Sequence, residues 1–237
     1  MAALPPQHRA LAADHALAVA QTSRQWDELF QSLSMHEQLV RKHPLPPRVR
    51  EVLLPLVRVL GQDVAPDAVI GVTADLRGPE APGKVHPGRE LQPVFPVTKI
   101  TEKVSWDPWL VVSADLRNGA HLDITVIDIG RIHELRKRSA SGKTKYRTKR
   151  KASQRLAITL KTAKDAVVVA PPLSPATQWL RVSAQPKGTR HVVSAKAKYP
   201  LTTNPQAGWQ LNTIMLAIAE VFRWVPAPVD DEAGGAA

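Results

Sequence analysis

The chain has no cysteine among its 237 residues. This absence excludes disulfides, thiolate metal sites and cysteine nucleophiles, and it is compatible with a reducing compartment. Hydrophobic residues make up 43% of the sequence and charged residues 22%, which is a globular composition, so wholesale disorder is not expected. We therefore expect a folded chain whose chemistry comes from side chains other than thiols.

Long hydrophobic runs are also missing. The most apolar stretch, residues 209–225, contains Glu220 and Arg223 and is shorter than the roughly 20 apolar residues that a membrane span needs. Residues 1–20 have no cationic segment ahead of an apolar run, and Asp14 and His15 interrupt their alanine-rich part. These patterns predict no membrane span and a cytoplasmic protein.

Acidic residues are nearly absent from one part of the chain. Residues 131–164 contain 13 of the 32 Lys and Arg but only Glu134 of the 21 acids. The rest of the chain then carries 19 bases and 20 acids, so it is almost neutral although the whole has a net charge of +11. The basicity is therefore local, as in a chain that presents one charged segment to a partner.

The first quarter of the sequence has helical patterns. Apolar residues at Trp26, Leu29, Phe30 and Leu33 follow the spacing of an amphipathic helix. Pairs spaced like capping boxes, Thr22 with Gln25 and Ser34 with Glu37, predict two short helices, and a third is expected from Pro46 to Gly61 with a bend at Pro55. We predict a helical region over residues 1–62.

The middle of the chain has the short β-branched runs, separated by proline and glycine, that are typical of an antiparallel β-domain. We predict this domain over residues 63–205, with Asn118-Gly119 as a type I′ hairpin turn. Strands are expected at 69–76, 94–104, 109–117, 120–138, 143–161, 165–170, 178–185 and 189–198. An amphipathic helix should follow within residues 206–225, and residues 226–237 should form a disordered acidic tail. The predicted fold class is α+β.

The basic segment reads as one β-hairpin over residues 120–161. In residues 143–151 every odd-numbered residue is Lys or Arg, and the residues between them are threonine, tyrosine and one arginine. A period of two places alternate side chains on one face of a strand. The tip is expected at residues 139–142. Placing Arg138 opposite Lys143 would put Leu135 opposite Tyr146, although a register shifted by one residue fits the pattern as well. The predicted hairpin is thus anchored by apolar residues at its base and cationic on one side of its projecting end.

A concentration of like charge on a projecting ribbon favours a polyanionic partner, and nucleic acid is the commonest one. Tyr146 is the only aromatic residue of the basic run, so contacts with the backbone of duplex DNA or structured RNA are favoured over stacking on single strands. The main candidate contacts are Lys143, Lys145, Arg147, Lys149 and Lys151, with Arg136, Lys137, Arg138 and Arg150 in support.

Two alternatives to this non-catalytic nucleic-acid-binding function remain open. The hairpin could dock on an acidic surface of another subunit in a structural assembly. A metal-dependent nuclease would need at least three of six polar residues near the hairpin to converge in one concavity; these residues are Asp115, His121, Asp123, Asp128, His133 and Glu134. Their alternation along the strand divides them between two faces, so we predict no metal site, no catalytic residue and no cofactor.

Overall fold

The computed structural model describes residues 5–39, 45–139, 141–164, 166–168, 178–201 and 211–225. The helices are α1 (Pro6–Arg9), which continues as a π-helical turn (Ala10–Asp14), α2 (Ser23–Leu39), a second π-helical turn (Val49–Leu53) leading into α3 (Leu54–Asp63), and α4 (Leu211–Phe222). The strands are β1 (Ala16–Thr22), β2 (Val69–Asp75), β3 (Arg89–Leu91), β4 (Val97–Asp115), β5 (His121–Arg138), β6 (Thr144–Lys161), β7 (Leu180–Lys187) and β8 (Arg190–Leu201).

The strands form one antiparallel sheet of eight strands. Its order is β1-β2-β4-β5-β6-β8-β7, and β3 pairs separately with β4. Together with the helices, this sheet confirms the predicted α+β class.

One face of the sheet carries the hydrophobic core. Along β5 the side chains of Leu122, Ile124 and Val126 are buried, while the residues between them are partly exposed. These buried residues belong to a single cluster that also contains Trp26 of α2, and Ile214 of α4. We call this side of the sheet the core face and the opposite side the open face.

The N-terminal region contains a strand that the sequence analysis did not predict. Residues 16–22 pair with β2 along their whole length, although an alanine-rich segment favours a helix by intrinsic propensity. His15 precedes the strand with a left-handed backbone (φ 51°), which ends the helical turn before it. The expectation that three helices precede the first strand is therefore wrong, because β1 comes before α2 and α3.

The predicted capping boxes have different outcomes. Thr22 N–H donates to Gln25 Oε1 at 3.0 Å, and Gln25 N–H donates to Thr22 Oγ1 at 3.4 Å, so the first box begins α2. Ser34 instead lies inside α2, where its hydroxyl donates to the Phe30 carbonyl at 3.0 Å, as serine commonly does within helices. Only one helix therefore occupies this stretch.

The third predicted helix is present, but Gly61 does not end it. The helix reaches Asp63, and just before Pro55 the Leu54 N–H bonds to the carbonyl of Val49, five residues back. Proline has no N–H to give, and a π-helical turn accommodates that break in the hydrogen-bond ladder.

Two predicted strands, 94–104 and 109–117, are a single strand, β4. Its pairing with β5 shifts register between Asp107 and Leu110, at Pro108, where a bulge is the position in a sheet that tolerates proline. At the following turn only Gly119 has a positive φ, of 74°, so the turn is not of type I′. The described part of the predicted strand 165–170, residues 166–168, is not a strand.

The C-terminal amphipathic helix is present as α4, and its residues Ile214, Ala217, Ile218 and Val221 are buried. The rest of the segment predicted for it before residue 211, and the predicted tail at 226–237, lie outside the described residues. Within the described ranges, no helix is both long and apolar enough to cross a membrane.

Candidate functional site

The basic hairpin is the pair β5–β6, which aligns residues 121–138 with residues 144–161. Arg138 lies opposite Thr144 and Leu135 opposite Arg147. The pairing of Arg138 with Lys143 is therefore wrong, and the register is the one shifted by one residue, which the sequence left open. Lys143 belongs to the turn, where its carbonyl accepts hydrogen bonds from the N–H and the hydroxyl of Ser139 at 2.9 and 3.0 Å.

The distal half of the hairpin is not a free two-stranded ribbon. Strand β4 continues alongside β5 as far as the pair Val97 and Lys137, and β3 covers part of the outer edge of β4. We call this three-stranded unit the arm and define it as residues 97–107, 128–138 and 144–154. At roughly 3.3 Å per residue, its eleven-residue β5 segment is about 33 Å long.

The outer edge of the arm is the most basic part of β6. Strand β8 pairs with β6 only at residues 152–161. Residues 144–151 therefore have β5 on one side and no described strand on the other. All eight of these residues are exposed, so their side chains and their outward backbone groups are accessible.

The cross-strand register assigns the arm's bases to its two faces, because directly opposite residues share a face. Lys145 and Lys151 lie opposite Lys137 and Arg131, and Arg147 and Lys149 lie between them on the same face. Counted outward from the core residues of β5, this is the continuation of the open face. The bases on the open face of the arm are thus Arg131, Lys137, Lys145, Arg147, Lys149 and Lys151.

The candidate site residues do not form one surface. Of the four supporting residues, only Lys137 shares the open face with the alternating bases of β6. Arg136, Arg138 and Arg150 belong to the other face, since Arg150 pairs with Ile132 and Arg136 with Tyr146. The structure therefore separates the predicted site into a dense cationic face and a sparser opposite one, with Lys143 at the turn.

These bases have no acidic partners among the described residues. None of the ion pairs in the described part of the chain includes any of them; the bases concerned are Arg131, Arg136, Lys137, Arg138, Lys143, Lys145, Arg147, Lys149, Arg150 and Lys151. The arm's own acids are already occupied. Glu134 pairs with Lys103 at 2.8 Å, and Glu102 contacts both His133 at 3.0 Å and Arg89 at 2.6 Å.

Glu102 illustrates how completely those acids are neutralised. Its Oε1 contact with His133, and the contacts of Arg89 Nε and Nη2 with its Oε2, hold the pKa of the carboxyl below its usual range, although burial opposes the shift. The lowered pKa keeps this carboxylate ionised, and Arg89 already matches its negative charge, so Glu102 does not balance the lysines of β6 in addition. The open face of the arm is left with unbalanced positive charge.

At the root of the arm the opposite situation holds. Asp107 and Asp128 lie directly opposite each other on β4 and β5, and both are buried. Lys84 Nζ lies 2.6 Å from Asp107 Oδ1 and 2.9 Å from Asp75 Oδ2, while Arg48 lies 2.6 Å from Asp128. Each buried carboxylate thus has its own cation, and these contacts tie a loop and the N-terminal helical layer to the arm.

The pKa shifts at the root follow from burial and pairing. Burial raises the pKa of Asp107 against the opposing effect of Lys84, and nearby Asp128 adds to the rise. Hydrogen bonding from Arg77 lowers the pKa of Asp75 well below its usual range. We call the set Asp75, Lys84, Asp107, Asp128 and Arg48 the root network.

The six residues considered for a nuclease fall into four separate places. His121 bridges Asp115 at 2.6 Å and Asp123 at 3.1 Å, Asp128 belongs to the root network, His133 pairs with Glu102, and Glu134 pairs with Lys103. Asp115 is 74% exposed, so its group lies on the surface and not in a concavity. Among the described residues, no three His, Asp or Glu side chains are placed to hold a metal ion.

Four further bases that the sequence analysis missed extend the cationic open face beyond the arm. Lys198 of β8 lies opposite Arg155 of β6, and Arg181 of β7 lies opposite Lys196 of β8. All four are exposed, and none takes part in an ion pair within the described ranges. The alternation Ala195-Lys196-Ala197-Lys198 has the same period of two as the arm and was the signal available in the sequence.

Comparisons with protein-family models, with curated proteins and with solved structures find no match. The functional assignment therefore depends on the chain's own geometry and charge.

Proposed function

We propose that this chain is a non-catalytic nucleic-acid-binding protein that contacts the phosphate backbone of duplex DNA or structured RNA through the open face of its arm. One observation carries the proposal: the alternating bases of β6 are exposed and lack acidic partners in the described structure. Lys145, Arg147, Lys149 and Lys151 follow one another at about 6.6 Å on one face. Such a row is self-repulsive until an anion neutralises it.

The arm is too wide to enter a groove of the duplex, which favours contact with the phosphates on both sides of the groove. The major groove of B-form DNA is about 12 Å wide and admits a two-stranded ribbon. Three strands at about 4.8 Å spacing, with side chains added, exceed that width. The open face would then lie across the backbone, and such contacts fix position without reading sequence.

A salt titration tests the proposal directly. If the six bases on the open face of the arm each neutralise one phosphate, log K against log salt should have a slope of about −5 on duplex DNA. Replacing Lys145, Arg147, Lys149 and Lys151 with serine should flatten that slope by about 3.5, or roughly 0.9 per charge. The absence of measurable binding to DNA or RNA at low salt would contradict the proposal.

A matched control removes bases from the helical side of the protein. Arg9 is exposed on α1, and Arg24 is 89% exposed on α2. Serine at these two positions lowers the net charge without touching the arm, so the salt slope should stay unchanged. Equal slope changes per charge in both variants would indicate unspecific attraction to the whole protein. When the protein is incubated with a labelled DNA duplex and Mg²⁺ or Mn²⁺, the duplex should stay intact, since the proposed function includes no cleavage.

The free outer edge of β6 favours a second candidate, docking of the arm on an acidic surface of another subunit. An edge strand presents unpaired N–H and C=O groups to a partner, although its lysines also discourage uncontrolled pairing. Light scattering on the eluting protein distinguishes this case: a homo-oligomer that dissociates in the serine variant supports docking. A cytoplasmic location is part of the leading proposal, and fractionation of cells that express the chain tests it.

A further inference from the structure

The tip of the arm combines the turn of the basic hairpin with the loop between β3 and β4. This loop, residues 92–96, lies beside the end of β5, where the Arg138 N–H donates to the Pro96 carbonyl at 3.3 Å and the Thr98 hydroxyl donates to the Arg136 carbonyl at 3.1 Å. The loop is far from the hairpin turn in sequence, and the third strand of the arm places the two together.

Three large hydrophobic side chains stand out at this tip. Phe95 is 92% exposed, Tyr146 79% and Val94 77%, and these are the three highest exposures of large hydrophobic residues in the described chain. The next, Val167, is 68% exposed and lies elsewhere. The protein therefore concentrates its most exposed apolar surface where its charge is also concentrated.

The backbone of this loop forms a defined turn at its aromatic residue. The Val97 N–H donates to the Val94 carbonyl at 2.9 Å, which closes a turn with Phe95 inside it. Pro93 and Pro96 restrict the backbone on both sides. Because this backbone is already ordered, covering Phe95 with a ligand costs little further backbone conformational entropy.

We propose that Phe95, with Val94 beside it, inserts between nucleobases of a bound duplex while the lysine and arginine side chains of the arm bind the phosphates. This inference depends on the proposed function and specifies its mode of contact: the tip deforms the duplex by unstacking a base step. Apolar wedges of this kind occur in proteins that kink DNA, where the unstacking cost is offset by the contacts that the bend permits. Lys137, which is on the open face, lies at the same end of the arm and would bind a flanking phosphate.

The length of the cationic row favours a nucleic acid over a lipid surface as the partner of the tip. From Lys145 to Lys151 the bases extend about 20 Å along the arm. If only the tip touched a lipid surface, the charges at the far end of the row would lie farther from that surface than the Debye length, which is roughly 8 Å at physiological salt. A row directed along the arm instead follows a linear polyanion.

The test compares the unsubstituted 237-residue chain with its Phe95→Ala variant on two duplexes. One is a perfect 25-base-pair duplex with a fluorophore at each end, and the other has the same sequence with a two-nucleotide bulge at its centre. Because the bulge reduces the cost of unstacking, the unsubstituted protein should bind the bulged duplex about tenfold more tightly and should shorten the end-to-end distance of the perfect one. The Phe95→Ala variant should lose both effects and keep the same salt slope, since no charge is removed.

Controls separate this inference from the proposed function. Phe95 is almost fully exposed, so its removal should leave the unfolding midpoint unchanged, and Leu216→Ala, at a 58% exposed position on α4, should bind both duplexes normally. If Phe95→Ala keeps the bulge preference and the bending, the inference fails and the phosphate-binding function stands. If neither duplex is bound but phosphatidylserine vesicles are, in a manner that needs Phe95, both proposals fail.

Discussion

Lysine and arginine residues differ in burial and in ion pairing between two regions of this protein, the root of the arm and its open face. At the root, Lys84 is 10% exposed and contacts two carboxylates, and Arg48 contacts a third. Along residues 144–151 every base is exposed and none has an acidic partner in the described structure. The same residue types thus stabilise the fold in one place and have no acidic partner among the described residues in the other.

The difference arises from which acids each region can reach. The root lies where β4, β5, a loop and the N-terminal helical layer meet, so Asp75, Asp107 and Asp128 from distant parts of the chain converge there. The outer edge of the arm has only β5 as a neighbour, and its Glu134 is paired with Lys103. The charge of residues 144–151 is unbalanced because this part of β6 has no second neighbouring strand, among the described residues, that could supply acids. Exposure of the side chains is therefore not the whole explanation.

The largest expected effect is on stability and comes from the root. Lys84→Met should lower the free energy of unfolding by about 3–5 kcal/mol, because it leaves buried Asp107 without its cation. The same replacement in the arm, Lys149→Met, should change stability by no more than about 0.5 kcal/mol, as expected at an exposed position. Urea unfolding followed by circular dichroism measures both, and equal losses would remove the distinction between the two regions.

A second prediction sharpens the comparison within the arm. Lys149 and Arg150 are neighbours in sequence but lie on opposite faces. If the open face binds phosphates, Lys149→Ser should reduce the salt slope by about 0.9, whereas Arg150→Ser should leave it almost unchanged. Fluorescence anisotropy over a range of salt concentrations provides the slopes. Similar changes for both variants would mean that the partner surrounds the outer strand.

A third prediction uses the opposite pKa shifts of two acids. Because the pKa of Asp107 is raised in the folded protein, its contribution to stability is present at low pH and is lost as the pH rises through that pKa. The pKa of Glu102 is lowered, so its contribution is present at neutral pH and is lost as the pH falls through its folded value. Relative to the unsubstituted protein, Asp107→Asn should gain stability as the pH rises from about 3 to 7, and Glu102→Gln should lose it. Melting temperatures across this range test both, and parallel curves would contradict the assignment.

The smallest effect concerns repulsion within the open face. Lys145 lies directly opposite Lys137, and like charges in such a pair are destabilising. Lys145→Glu should stabilise the protein by about 0.2–1 kcal/mol while weakening binding to duplex DNA. Lys145→Gln, which removes the repulsion without adding attraction, is the matched control for thermal unfolding. A loss of stability in the Glu variant would show that the bases are balanced by other groups.

The sequence was sufficient for the features that depend on local periodicity. Alternation in residues 143–151 identified a strand with one cationic face, and the lack of acids nearby made the charge unbalanced. The Thr22–Gln25 capping box correctly placed the start of α2, and the apolar spacing of residues 211–222 predicted α4. These signals are contained in neighbouring residues, so no knowledge of the fold is needed to read them.

Tertiary structure decided everything that depends on which strands become neighbours. It made residues 16–22 a strand against their helical propensity, because pairing with β2 outweighs a weak intrinsic preference. It decided between the two hairpin registers that the sequence left open, and it added β4 to the arm, which brought the loop of Phe95 beside Arg138. Pairing between distant segments has no local signature in one sequence. The charge of the arm was therefore readable from its residues, while the faces, the root network and the exposed aromatic tip followed only from the assembled sheet.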